Sequence, residues 1–124
     1  MRHLVLLSPT TTPDTPPPPD LFEAILQLGA EAAAAGVLLD QSGLRPSSEA
    51  AMVALRDGDI HVSDGPFAES KEIVSYALYD TRTRAEAVEW TERFLRLHRD
   101  LWAGYEGEAV VLPLFAPPAG SGER

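Results

Sequence analysis

The densest run of side chains able to do chemistry is Asp64-Gly65-Pro66-Phe67-Ala68-Glu69-Ser70-Lys71-Glu72. Asp64 alternates with Ile60 and Val62, so in an extended segment its carboxylate leaves on the apolar side. A carboxylate there either has a raised pKa suited to proton transfer or accepts hydrogen bonds from the amides of the next turn and holds it shut. Gly65 and Pro66 serve the turn in both cases, one permitting an unusual φ and the other fixing it. Phe67 either seats the loop on the core or forms a stacking wall for a ligand. Lys71 is the only lysine in a chain with ten basic residues. Beside Glu69 and Glu72 it either pairs with those carboxylates or neutralises a small anionic metabolite. Ser70 and Glu72 complete the polar stretch as structural residues.

The three histidines are the other candidates for acid–base work. His3 opens an apolar run and either lines a cleft or is a satisfied edge residue. His61 alternates away from the Asp64 side, as a half-exposed strand residue. His98 ends a helical stripe, where a cation meets the C-terminal dipole favourably. No two histidines have metal-ligand spacing and there is no cysteine, so no metal site is expected. Neither a glycine-rich phosphate cradle nor a serine elbow nor a dinucleotide fingerprint occurs, so no cofactor is expected.

Nineteen acidic against ten basic residues, a net charge of -9, make nucleic acid and anionic membrane poor partners. The apolar run after Met1 is too short for a signal-peptide core, and none approaches the roughly 18 residues of a spanning helix. A soluble cytoplasmic protein is the expectation.

Elements must position these residues, and 124 residues allow one domain. His3 to Leu7 is continuous and apolar, which predicts a strand covered on both faces. The prolines from Pro9 to Pro19 predict a stiff loop over residues 8–19. Asp20 is placed to cap a first helix, Asp20 to Ala35, with Glu23 at the capping-box distance. Its expected stripe is Phe22, Ile25, Leu26, Gly29, Ala32 and Ala33, and Gly36 is its stop. A second strand begins at Val37 to Leu39 and runs toward Gly43. Ala51 to Arg56 and Asp59 to Asp64 flank Asp57-Gly58, the dipeptide suited to a two-residue hairpin turn. Glu72 to Asp80 reads as a strand apolar on both parities, hence central. Thr83 caps a second helix that runs to Leu97 or as far as Trp102, with Ala87, Trp90, Thr91, Phe94 and His98 on one stripe. Glu108 to Leu112 is the last strand, and residues 116–124 are a disordered tail after a domain of residues 1–115.

The order of elements is a ferredoxin-like α+β (split βαβ) pattern with an inserted β-hairpin. Its first and third sheet strands would lie in the middle. Two helices cover only one face of such a sheet, while both middle strands are apolar on both faces. The cheapest cover for the other face is a second copy, which predicts a homodimer.

The stretch Asp64 to Glu72 resembles the hallmark of the YCII-related, DGPF-domain family. The resemblance extends over the Asp57-Gly58 hairpin, the strand and the Glu89-Trp90 helix after it, and the final Glu108 to Leu114 strand. It implies a dimeric α+β barrel; from the residues themselves, Asp64 is the candidate catalytic acid or base, and Lys71, Phe67 and His3 are the candidates around the substrate. One branch is implicated in removing hydrogen halide from a ring-cleavage product, with a histidine from the first helix and an aspartate. Asp20 to Ala35 contains no histidine, a departure from that pattern. The expectations are a small-molecule lyase or isomerase working in a dimer cleft, or a non-catalytic dimeric ligand-binding or regulatory module linked to an extracytoplasmic-function sigma factor.

Overall fold

The N-terminal apolar run becomes the longest strand, β1 (Arg2–Thr11), in a computed structural model that describes residues 1–67 and 71–116. His3, Val5 and Leu7 are buried on one face and Leu4 and Leu6 half-buried on the other. β1 lies between β5 (Ser75–Asp80) and β6 (Glu106–Pro113), and β2 (Leu38–Gly43) flanks β5. The result is an antiparallel sheet of order β2-β5-β1-β6. The two strands apolar on both sides therefore hold the middle places, as expected from their parities.

β1 does not stop at the predicted loop. It continues through Pro9, opposite Gly107, to Thr11, with a register shift between Pro9 and Thr11. The physical reason is the direction of the missing N–H. Leu7 accepts from Val74 on the β5 side through its carbonyl, and Pro9, two residues on, turns its backbone polar groups the same way. β5 pairs no further than Leu7, so no donor is needed there. β5 itself starts at Ser75 rather than Glu72, although Val74 just before it still bonds Leu7 and Leu44 through its amide and carbonyl; the Glu72 carboxylate is held by Ser47.

α1 (Pro19–Ala34) begins one residue before the predicted cap. Pro18 is the N-cap and makes no side-chain bond, and Pro19 enters the first turn with its φ already set, leaving Asp20 inside it near the positive helix end. The predicted Asp20 cap is thus replaced by proline geometry. At the other end Gly36, at φ 76°, donates to Ala33, and Val37 donates to Ala32. This paired termination requires a residue without a Cβ penalty at Gly36. The buried side of α1 is Leu21, Leu28, Gly29 and Ala32, rotated from the predicted stripe, and Phe22 and Leu26 are exposed. α2 (Arg84–Leu101) starts as predicted, with Thr83 Oγ1 accepting from the Glu86 amide at 3.2 Å. It buries Ala87, Thr91 and His98. Arg93 clasps Glu31 of α1 with two bonds of 2.7 and 2.8 Å and lies 4.7 Å over the Trp90 ring. Neither helix is long and apolar enough to cross a membrane.

Both helices lie over the sheet face that carries His3, Val5, Leu7 and Tyr79. The opposite face presents Leu4, Leu6, Leu78, Val110 and Leu112, cross-strand neighbours by register, and Val110 and Leu112 are exposed. β3 (Ala51–Arg56) and β4 (Asp59–Asp64) form the predicted hairpin, with positive φ at Asp57 and Gly58. They make a separate two-stranded sheet. Its facing pairs Val53–Val62 and Leu55–Ile60 are 63–71% exposed, so the apolar side of the hairpin is covered by nothing within the described chain.

The assignment of the α1 core face is testable in urea. Leu21→Ala removes a side chain 2% exposed and is expected to lower stability by roughly 2–5 kcal/mol. Leu26→Ala, 70% exposed, should stay within about 0.5 kcal/mol. Equal losses would contradict the rotation of the buried stripe.

Candidate functional site

The signature loop is positioned by backbone contacts. Asp64 ends β4 and is exposed, together with Ile60 and Val62, so the expected interior placement is overturned: the face they share lies outside the main sheet. The Gly65 amide donates to the Ala50 carbonyl at 2.8 Å rather than to Asp64. A Cβ at Gly65 would collide with the Ser47 carbonyl, which is why glycine stands there. The Gly65-Pro66 peptide is cis. Phe67 is half-buried, its ring folded back toward Gly65, as a seat for the loop.

Two acids, Glu72 and Glu108, tie the chain beyond the loop to the rest of the fold. Ser47 opens a short 3₁₀ turn, Ser47–Glu49, and its amide and hydroxyl donate to the Glu72 carboxylate at 2.8 and 2.7 Å. Those bonds hold the Glu72 carboxyl below the usual carboxylate range. Lys71 pairs with Glu108 of β6 at 2.8 Å, not with its sequence neighbours, and both partners are exposed. Glu69 and Ser70 lie outside the described residues. His3 is neither edge residue nor cleft lining. It is fully buried opposite Tyr79 and Pro113, and neither ring nitrogen has a hydrogen-bond partner among the described residues.

The structure therefore does not bring Asp64, Phe67, Lys71 and His3 together. It opens a cavity of about 570 Å³ elsewhere, between the sheet and the helices, and none of the four lines it. Val5, Leu7, Ser75, Ala77 and Tyr79 form its floor and Gln41 its β2 side. Ile25 of α1 and Thr91, Phe94 and His98 of α2 form its roof, with Phe22, Leu26 and Tyr105 around it. That volume lies within the range of about 300–1,000 Å³ typical of small-molecule sites. The small residues Ser75 and Ala77, in β5, leave the space that larger side chains would fill.

His98 is the one imidazole in the cavity wall. Its Nδ1 lies 3.0 Å from the Phe94 carbonyl, which only accepts, so Nδ1 carries the proton and Nε2 keeps a lone pair. The ring is flanked by Phe94 at 4.8 Å and Tyr105 at 4.9 Å, with Trp102 stacked on Tyr105 at 5.2 Å. Burial pushes the imidazole below its ordinary value, outweighing the Phe94 bond that pulls it up. Burial likewise raises the phenols of Tyr79 and Tyr105. His98 is thus a neutral buried base, not the cation that the dipole at a helix end favours. The signal was present in the stripe Ala87, Thr91, Phe94, His98, which already put it on the core side; Tyr105 carried no sequence signal of its own. Comparison with known protein families and with curated proteins finds no match to this chain.

The His98 environment predicts a pH dependence. A base with a lowered folded value contributes stability that is complete above the ordinary imidazole value of 6.5 and is lost as pH falls through the folded value. Stability to denaturant should fall between neutral and mildly acid pH, and His98→Phe should flatten that slope. The carboxylates of Glu31, Glu72 and Glu108, held low by their partners, add their loss only below about 4.5. An unaltered slope in the variant would assign the transition to another group.

Proposed function

We propose that the protein binds a small organic molecule in the cavity between its sheet and helices and acts on it as a lyase or isomerase, with His98 as the proton-accepting group. The observation that carries this reading is the cavity itself, apolar over most of its wall and holding one neutral imidazole whose basic nitrogen has no protein partner among the described residues. General-base work needs that combination of a neutral form at physiological pH and an uncommitted lone pair. The resemblance of Asp64 to Glu72 to the DGPF signature supports placing the chain with the YCII-related proteins. Its ferredoxin-like split βαβ protomer would then pair into a dimeric barrel in the cytoplasm.

The open face of Leu4, Leu6, Leu78, Val110 and Leu112 and the bare hairpin pairs are the surfaces a second copy would cover. One observation favours a second reading, with Asp64 as the acid or base in a dimer cleft. Its register partner is Ala51, so it shares a hairpin face with Val53, Leu55, Ile60 and Val62, and a partner covering those would enclose its carboxylate. A non-catalytic module, linked to an extracytoplasmic-function sigma factor as the resemblance implies, would use the same cavity for binding alone.

Native mass spectrometry of the protein purified without dialysis tests the reading. A dimer mass with a small molecule released on denaturation is expected, and Ile25→Trp, which fills the cavity, should abolish the bound mass while Asp64→Asn retains it. The reverse pattern would move the site to the hairpin. Repeated conversion of the released molecule by fresh protein separates an enzyme from a binding module, and His98→Gln should slow it at least about tenfold.

A further inference from the structure

Although charged residues are abundant in the chain, the cavity wall contains no Asp, Glu, Lys or Arg among the described residues. The nearby charges are committed outside it: Asp40 accepts from the Tyr76 hydroxyl at 2.7 Å and Glu31 holds Arg93. A charged ligand would leave water without a counter-ion, at a cost that an apolar wall does not return. The ligand of such a site is uncharged, in contrast to the anionic metabolite expected from Lys71, which is paired with Glu108 and does not line the cavity.

The polar groups beside His98 narrow the class further. Nε2 is an acceptor because Nδ1 donates its proton to the Phe94 carbonyl. No protein donor among the described residues answers it. The Thr91 hydroxyl donates to Ala87 at 2.8 Å, and the Tyr105 hydroxyl, buried beside Gly107, makes no hydrogen bond among the described residues, to His98 or to any other group. The flanking surfaces are the rings of Phe94 and Tyr105. An acceptor in an aromatic setting to which none of the described donors is bonded is completed by a ligand that brings its own.

We infer that the cavity takes an uncharged, mainly apolar hydroxy compound of about two-ring size, whose O–H donates to His98 Nε2 while its hydrocarbon body fills the space over Ser75 and Ala77. This rests on the cavity being the binding site, and it adds the chemical class of the ligand. A phenol, an enol and a cyclic alcohol share the required chemistry.

Four probes of one size read the two parts separately in isothermal calorimetry on the full chain: naphthol, methoxynaphthalene, naphthalene and naphthoate. Naphthol should bind about fivefold tighter than naphthalene, the worth of one hydrogen bond. Methoxynaphthalene, which keeps the oxygen and loses the donor, should show no such gain. Naphthoate should bind at least about tenfold more weakly than naphthol, and His98→Phe should level the three neutral probes. Naphthoate binding as tightly as naphthol would overturn the uncharged class, and methoxynaphthalene matching naphthol would overturn the donor to His98. In both cases the cavity remains the site. Binding of none of the four would remove the cavity reading and this inference together. The methoxynaphthalene comparison needs no variant, so it decides the matter even where His98→Phe fails to fold.

Discussion

Every other part of the structure is arranged around the pairing of β1 on both its edges, to β5 and to β6, with apolar side chains on both of its faces. A strand hydrogen-bonded on two sides and apolar above and below has no polar surface to give to water, so cover must be found for both faces. The helices supply it on one. There Val5, Leu7 and Tyr79 meet Leu21, Leu28, Ala32 and Ala87 to make the core. Among the described residues the other face of the sheet receives no helix, and the hairpin, with its own bare apolar side, stands in a separate sheet. One covered and one uncovered face result from having two helices to share between two apolar surfaces.

The cavity and the signature loop are consequences of that arrangement at different distances from it. The cavity lies on the covered face where β5 offers Ser75 and Ala77, and its base is carried by the helix whose burial also keeps it neutral. The loop is tied to the sheet's periphery, through Gly65 to Ala50, Glu72 to Ser47 and Lys71 to Glu108. The side-chain bonds among these are exposed and individually weak, and together with the Gly65 amide they fix where the hairpin leaves the body. The most recognisable stretch of the chain is in this geometry a fastening.

What was legible in the sequence was local or periodic. Asp57-Gly58 marked the hairpin turn, Thr83 the start of α2 and Gly36 the end of α1, because each acts through bonds within a few residues. The apolar parities of β1 and β5 marked the middle of the sheet. What was not legible depended on partners far away in the chain. Pro9 reads as a breaker unless it is known that β5 has already ended beside it, and Asp20 reads as a cap unless Pro19 is seen to start the helix first. Asp64 was assigned to the interior by alternation, which gives a side but not what lies on that side. His98 shows two local rules in conflict: the dipole at a helix end favours a cation, the stripe favours burial, and the larger desolvation prevailed.

The overhang of β1 beyond β5 has a meaning for the molecule's behaviour among its own copies. From Ser8 onward β1 is paired, among the described residues, to β6 alone, so its other side is there an open edge of the kind that recruits foreign strands. The first residue past Leu7 that turns its backbone to that side is Pro9, which has no amide hydrogen to offer. The register shift just beyond it breaks the regular spacing an incoming strand would need. A residue that looks in the sequence like the end of a strand lets the strand continue while presenting no amide hydrogen for an incoming strand to bond at this edge.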